Sequence, residues 1–167
     1  RLDRALQGLA DCVRRSRGVA THGSSVVLDG AAEAVRALSL HYYLAVVTTR
    51  ARREAYAILD RSGLRSLFPV VVTRQDVCLM KPHPQPILRA AARLGVSPTE
   101  CAMVGDAATD MRAARSAGAL AVGVLTGMAT REELERAGAQ WVLARVADLG
   151  PALCGSGERG ARAGAVE

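Results

Sequence analysis

Aromatic residues are scarce. One Trp, three Tyr and one Phe make up 3% of the 167 residues. So few rings are not expected to build a stacking platform for nucleic-acid bases, and the core has to come from Ala, Val and Leu. Lysine is rarer still: Lys81 is the chain's one lysine, and every other basic position is Arg. The four cysteines, Cys12, Cys78, Cys101 and Cys154, form no C-x-x-C pair. A zinc site or a disulfide framework therefore has little support, and reduced thiols are the expectation. No apolar run approaches the roughly 20 residues of a membrane helix. The longest, Tyr42 to Val47, is strand-sized. No block of like charges suggests a nucleic-acid tail. No signal peptide is legible at the start, so a cytoplasmic location is expected. The chain opens at Arg1 without an initiator Met, as an internal stretch of a longer protein would.

Apolar residues make up 50% of the chain, enough for a sizeable core and too many for disorder. The length suits one domain. The formal charge of +6 would help draw in an anionic small molecule. It is equally what an Arg-rich solvated surface gives.

Apolar positions Leu2, Ala5, Leu6, Leu9 and Val13 fit a helical face over residues 1–16. A polar loop follows, then Val26 to Leu28 and an Asp29-Gly30 turn. Beyond it the types alternate. Strands are expected over 44–48, 70–73, 102–104, 120–124 and 141–143. Helices are expected over 31–40, 52–61, 84–94, 107–117, 131–137 and 146–153, several stopped by a glycine. Ser97 to Glu100 reads as a capping box. Residues 154–167 fall to Gly, Arg, Ala and Ser and read as a disordered tail. Alternating strands and helices predict an α/β fold with a mostly parallel sheet. Such sheets bind ligands beyond the carboxyl ends of their strands.

Three strand ends carry chemistry. Thr48-Thr49-Arg50 offers a hydroxyl, backbone N–H groups and a guanidinium at a helix start, a plausible phosphate seat. A β-favouring Thr followed by an N-cap Thr gives the same string. Lys81, in Lys81-Pro82-His83-Pro84, puts a compact charge where a phosphoryl oxygen could be neutralised. An ordinary surface Lys is the plainer reading, and His83 between prolines reads as a rigid loop residue. Gly105 allows tight backbone, and Asp106 and Asp110 lie one helical turn apart on the same side. Two such carboxylates can hold Mg²⁺, directly or through water, or can simply complement a helix dipole. Asp76, Glu132 and Glu133 read as solvent-facing or helix-start charges, the cysteines as small core or boundary residues, and Trp141 as packing. Nothing matches a G-x-G-x-x-G or P-loop pattern, which leaves a nucleotide-binding or flavodoxin-like signalling module with little support.

LAVVTTR, then KPHPQPILRAAARLGVSP, then MVGDAATDMRAARSAGALAVGVLTG stand in a recognisable order. Over about residues 26–153 the chain resembles the haloacid dehalogenase (HAD) superfamily, on the phosphoglycolate phosphatase-like branch. The resemblance implies a Rossmann-like core over 25–153, its mostly parallel sheet flanked by helices, with residues 1–24 as the remnant of a helical cap. It implies an Mg²⁺-dependent phosphatase for small phosphate monoesters, working through an aspartyl-phosphate. By position, Thr48 would hydrogen-bond the phosphoryl group, with Thr49 and Arg50 beside it. Lys81 would stabilise the nucleophile and the transferring charge. Asp106 would ligate Mg²⁺, and Asp110 would be a ligand or an orienting group. The implied partner is a small phosphorylated metabolite, phosphoglycolate first, with no nucleic acid or membrane. The family's first motif, D-x-D, is absent. Its strand, central in the family's sheet, is expected upstream of Arg1. Asp29 could stand in for its nucleophile, although Ala31 occupies the place of the acid/base Asp. The alternative is a degenerate, non-catalytic HAD domain that binds phosphate, metal or a protein partner.

Overall fold

A computed structural model describes residues 6–9, 13–15, 25–27 and 30–153. The chain runs β1 (Leu6–Leu9), β2 (Val13–Arg15), β3 (Ser25–Val27), α1 (Ala31–Ser39), β4 (Leu44–Val47), α2 (Arg52–Arg61), β5 (Val70–Val72), α3 (Gln85–Leu94), β6 (Cys101–Gly105), α4 (Ala108–Ala117), β7 (Leu120–Val124), α5 (Arg131–Arg136) and β8 (Trp141–Leu143). A 3-10 turn, Val146–Asp148, leads into helical residues 149–153.

Six strands form one parallel sheet in the order β5-β4-β1-β6-β7-β8. β2 and β3 pair antiparallel as a separate two-stranded sheet. The sheet is sandwiched, which is why its strands read as unbroken apolar runs. Val35 and Leu38 of α1 and Ala55 and Leu59 of α2 join Leu44, Val71, Val104 and Val122 on one face. Alternate strand residues, such as Ala45, Val47, Val72 and Met103, face the other way, toward buried residues of α3, α4 and α5. Ala113 and Ala114 of α4 are fully buried. Small side chains there let the helix lie close on the sheet, which suits a core with almost no rings. No helix among the described residues is long and apolar enough to cross a membrane.

Two expectations fail at the start of the chain. The helix expected over 1–16 is replaced at the described positions by β1 and β2. β1 lies between β4 and β6, with Leu9 in register with both Val46 and Val104. The central strand expected upstream of Arg1 is thus present, formed by Leu6–Leu9 and not by any remnant of a helical cap. Helical spacing misled because Leu6 and Leu9 fit either period over so short a run. A strand between two parallel neighbours satisfies both their ladders, and that non-local gain outweighs local propensity. From residue 30 on, the expected elements appear within a residue or two of their bounds, apart from residues 146–148, which are 3-10. Helices α3 and α4 stop at Gly95 and Gly118 as expected. Asp29 and the tail from residue 154 lie outside the described residues.

Candidate active site

β4, β5 and β6 point their carboxyl ends the same way, so Thr48, Thr73 and Asp106 stand at one edge of the sheet. Thr48 follows β4 directly and is buried. Its amide donates to Val72 O at 2.9 Å, and its Oγ1 accepts the Arg50 amide at 3.2 Å. The hydroxyl is thereby fixed at the turn between β4 and α2. Thr49 is exposed. Arg50 is half-buried and pairs with Glu54 one turn further along.

Lys81 comes from the loop between β5 and α3, after which a cis Lys81–Pro82 bond follows. Its side chain is 4% exposed. Nζ sits 2.7 Å from Asp110 Oδ1 and donates to Val47 O at 3.2 Å. The ammonium therefore lies at the end of β4, one residue before Thr48. The plain reading of Lys81 as an ordinary surface residue is excluded. Gln85 Oε1 holds the same loop by accepting the Cys78 and Leu79 amides at 3.0 and 2.7 Å. His83 Nδ1 accepts the Gln85 amide at 3.1 Å, a loop-shaping role.

Asp110, in the first turn of α4, has a side chain 4% exposed. One oxygen meets Lys81, and the other accepts the Ala107 amide at 3.3 Å. Gly105 makes this possible: a Cβ there would lie 2.6 Å from Asp110 Cβ. Asp106 is half-buried at the tip of β6. Its carboxylate packs against Gly127 in the loop after β7, where a Cβ would lie 2.6 Å from Asp106 Cβ. A larger residue at 127 would displace the carboxylate.

The structure thus brings Thr48, Lys81 and Asp110 together, with Asp106 on the same edge of the sheet at the tip of β6. Among the described residues no group of three His, Cys, Asp or Glu side chains could hold a metal ion. Asp110 engages both oxygens and is buried, whereas Asp106 is half-buried, so Asp106 is the more solvent-accessible carboxylate of the pair. A hard oxygen donor of this kind fits Mg²⁺, which keeps several waters and takes one or two carboxylates plus substrate phosphate.

Sequence reasoning missed Asp76 and Gly127. Asp76 is not a solvent-facing charge: its side chain is 6% exposed and paired with Arg52 and Arg93. Burial pushes its carboxyl up, but hydrogen bonds from Thr73 and Arg93 outweigh that and hold it well below the usual carboxylate range. Its partners lie 17 and 24 residues away in sequence, so no local pattern announced it. Cys101 is buried at the start of β6, and burial with the Glu100 charge pushes its thiol up to about 12. It stands at the opposite end of the strand from Asp106 and has no part in the site. Cys78 is exposed, unlike the core or boundary role expected of it. Trp141 packs against the core, as expected.

The model of the family described as haloacid dehalogenase-like hydrolase matches residues 7–124. The pyrophosphatase PpaX of Bacillus mycoides is 38% identical over 112 residues, covering 67% of this chain and 52% of that protein. A solved structure of a predicted phosphoglycolate phosphatase from Haemophilus somnus superposes with a TM-score of 0.72 at 29% identity, covering 77% of this chain and 58% of the other. A HAD family hydrolase from Deinococcus radiodurans, solved with bound phosphate and sodium, gives 0.72 at 31% identity, with 79% and 61% covered. The chain spans about half the length of the curated relatives it matches, or less. The parallel α/β sheet, the ordered motifs at its carboxyl edge and the family match agree: the chain belongs to the haloacid dehalogenase-like hydrolases.

Proposed function

We propose that this chain is the core of an Mg²⁺-dependent phosphatase acting on small phosphorylated metabolites. The observation that carries the reading is the buried Lys81–Asp110 pair beside Val47 O, one residue from Thr48. A buried Lys held by a carboxylate at a strand-end edge is a fixed positive charge in a low-dielectric place, which suits it to a developing phosphoryl charge. Thr48, with its hydroxyl accepting the Arg50 amide, donates to a phosphoryl oxygen. Thr49 and Arg50 flank the same seat. Asp110 orients Lys81. Asp106, pressed by Gly127, contributes an oxygen to Mg²⁺, which when bound offsets phosphate charge. The names of the relatives make pyrophosphate and phosphoglycolate the first substrates to try.

The family route needs an attacking carboxylate. Counting two positions on from the register Val46, Leu9 and Val104 gives Thr48, Asp11 and Asp106 in the sequence. Asp11 is therefore the first candidate and Asp29 the second; both lie outside the described residues. The missing D-x-D favours one other reading, a domain that binds phosphate without turnover.

The test is hydrolysis of p-nitrophenyl phosphate by the full chain, with Mg²⁺ and then with EDTA. The expected result is Mg²⁺-dependent turnover lost in Asp106→Asn and Asp11→Asn and kept in Asp29→Asn. Turnover that survives Asp106→Asn contradicts the assignment. A folded chain that binds orthophosphate without turnover supports the second reading.

A further inference from the structure

Among the described residues β5 is one of the two edge strands of the sheet, with α2 packed on one face and α3 on the other. One side chain ties both helices around that edge. Asp76 Oδ1 accepts from Arg52 Nη2 of α2 at 3.0 Å and from Arg93 Nη2 of α3 at 2.9 Å. Its Oδ2 accepts the Thr73 amide at 2.9 Å and the Thr73 hydroxyl at 2.6 Å. Arg93 also donates to Val71 O at 3.2 Å, meeting a carbonyl of the edge strand. Gln75 Oε1 accepts the Arg52 amide at 2.9 Å.

The position of this knot matters more than its strength. Arg52 is the first residue of α2, two after Arg50. Thr73 to Asp76 opens the loop that carries Lys81. The Arg74 amide donates to Arg50 O at 3.3 Å, so the two segments already touch. The seat for an anion is made of side chains from both: Thr48 from one, Lys81 from the other. Each arginine places one Nη2 on Asp76 Oδ1, and such charge-assisted hydrogen bonds are stronger than neutral ones.

We infer that Asp76, Arg52 and Gln75 form a positioning clasp, which sets the Thr48–Arg50 segment against the Lys81 loop so that both reach one phosphoryl group. The inference rests on the phosphate seat proposed above. Asp76 and Arg52 act through Thr48 and Lys81 and touch no substrate themselves.

The test is the orthophosphate dissociation constant of the full chain, with melting temperature and amide hydrogen exchange measured alongside. Wild type is measured first: no orthophosphate binding overturns the seat itself and this inference with it. With wild type binding, Arg52→Ala and Asp76→Asn are expected to weaken orthophosphate by about tenfold or more, since small misplacement of binding groups is costly. Faster exchange is expected at the Arg50 and Arg74 amides. Arg52→Lys restores part of the affinity. Arg53→Ala, an exposed neighbour, removes the same charge and leaves affinity within about threefold, because exposed charges are screened. Unchanged affinity in both clasp variants, or an equal loss in Arg53→Ala, overturns the clasp.

Discussion

Two aspartates with buried side chains sit beyond the ends of β5 and β6, on the same edge of the sheet, and both face cations. Asp110 meets one Lys, and both side chains are 4% exposed. Asp76 is 6% exposed, but its partners Arg52 and Arg93 are 54% and 36% exposed. The first pair is sealed from water, while the second is a carboxylate capped by half-wet arginines. Burying both members of an ion pair costs desolvation that their attraction barely repays, and removing one member strands the other. Such a pair is weak as a stability device and apt as a fixed charge. The Asp76 knot has the opposite character. Its cations keep much of their hydration, and it joins three segments. One region therefore presents charge, and the other sets geometry.

Breaking the sealed pair should have the largest effect. Lys81→Ala is expected to cost about 3–5 kcal/mol in urea unfolding, because Asp110 is left buried without its partner. The double variant Lys81→Met with Asp110→Leu should recover most of that loss. If the double variant is as unstable as the single, the pair itself supplies the stability and the contrast with Asp76 fails.

Gly105→Ala tests the same pair without touching a charge. The added Cβ would lie 2.6 Å from Asp110 Cβ, and such overpacking costs up to about 3 kcal/mol. Phosphate affinity should fall with stability, as calorimetry on the folded variant would show.

Asp76→Asn should cost about 1–3 kcal/mol, since its hydrogen bonds are charged but its arginines are half-exposed. Its carboxyl is held below its ordinary value of 3.8. The unfolded chain therefore takes up the proton first. The stabilisation is complete above that value and is lost as pH falls below it toward the folded value. Unfolding measured from pH 5 downward should show a shallower acid limb in Asp76→Asn than in wild type.

The smallest effect sets the baseline. Arg131 and Glu135 are about half exposed, an i,i+4 pair on α5. Arg131→Ala should change stability by only about 0.5 kcal/mol. A cost near that of Asp76→Asn would erase the distinction between a knot and a surface pair.

The division between the regions also marks what the sequence could tell. Thr48, Lys81, Asp106 and Asp110 were legible because each follows a strand whose apolar run is unmistakable, and one parallel sheet gathers such positions on one edge. The helices α2 and α3 were legible from spacing and stop signals. β1 was not, because its four residues fit a helix as well as a strand and only β4 and β6 on either side decide between them. Asp76 and Gly127 were hidden for a related reason. Their partners come from other elements, and a single Asp or Gly in a loop has no local pattern to announce a distant contact.

The central claim is that Lys81, fixed by Asp110, is the charge that receives a phosphoryl group. The most direct measurement is orthophosphate binding by isothermal calorimetry in Mg²⁺, for wild type and for Lys81→Met with Asp110→Leu, chosen to keep the fold. Saturable binding by wild type, weakened at least about tenfold in the double variant, is the predicted result. Equal affinity in the two would contradict it.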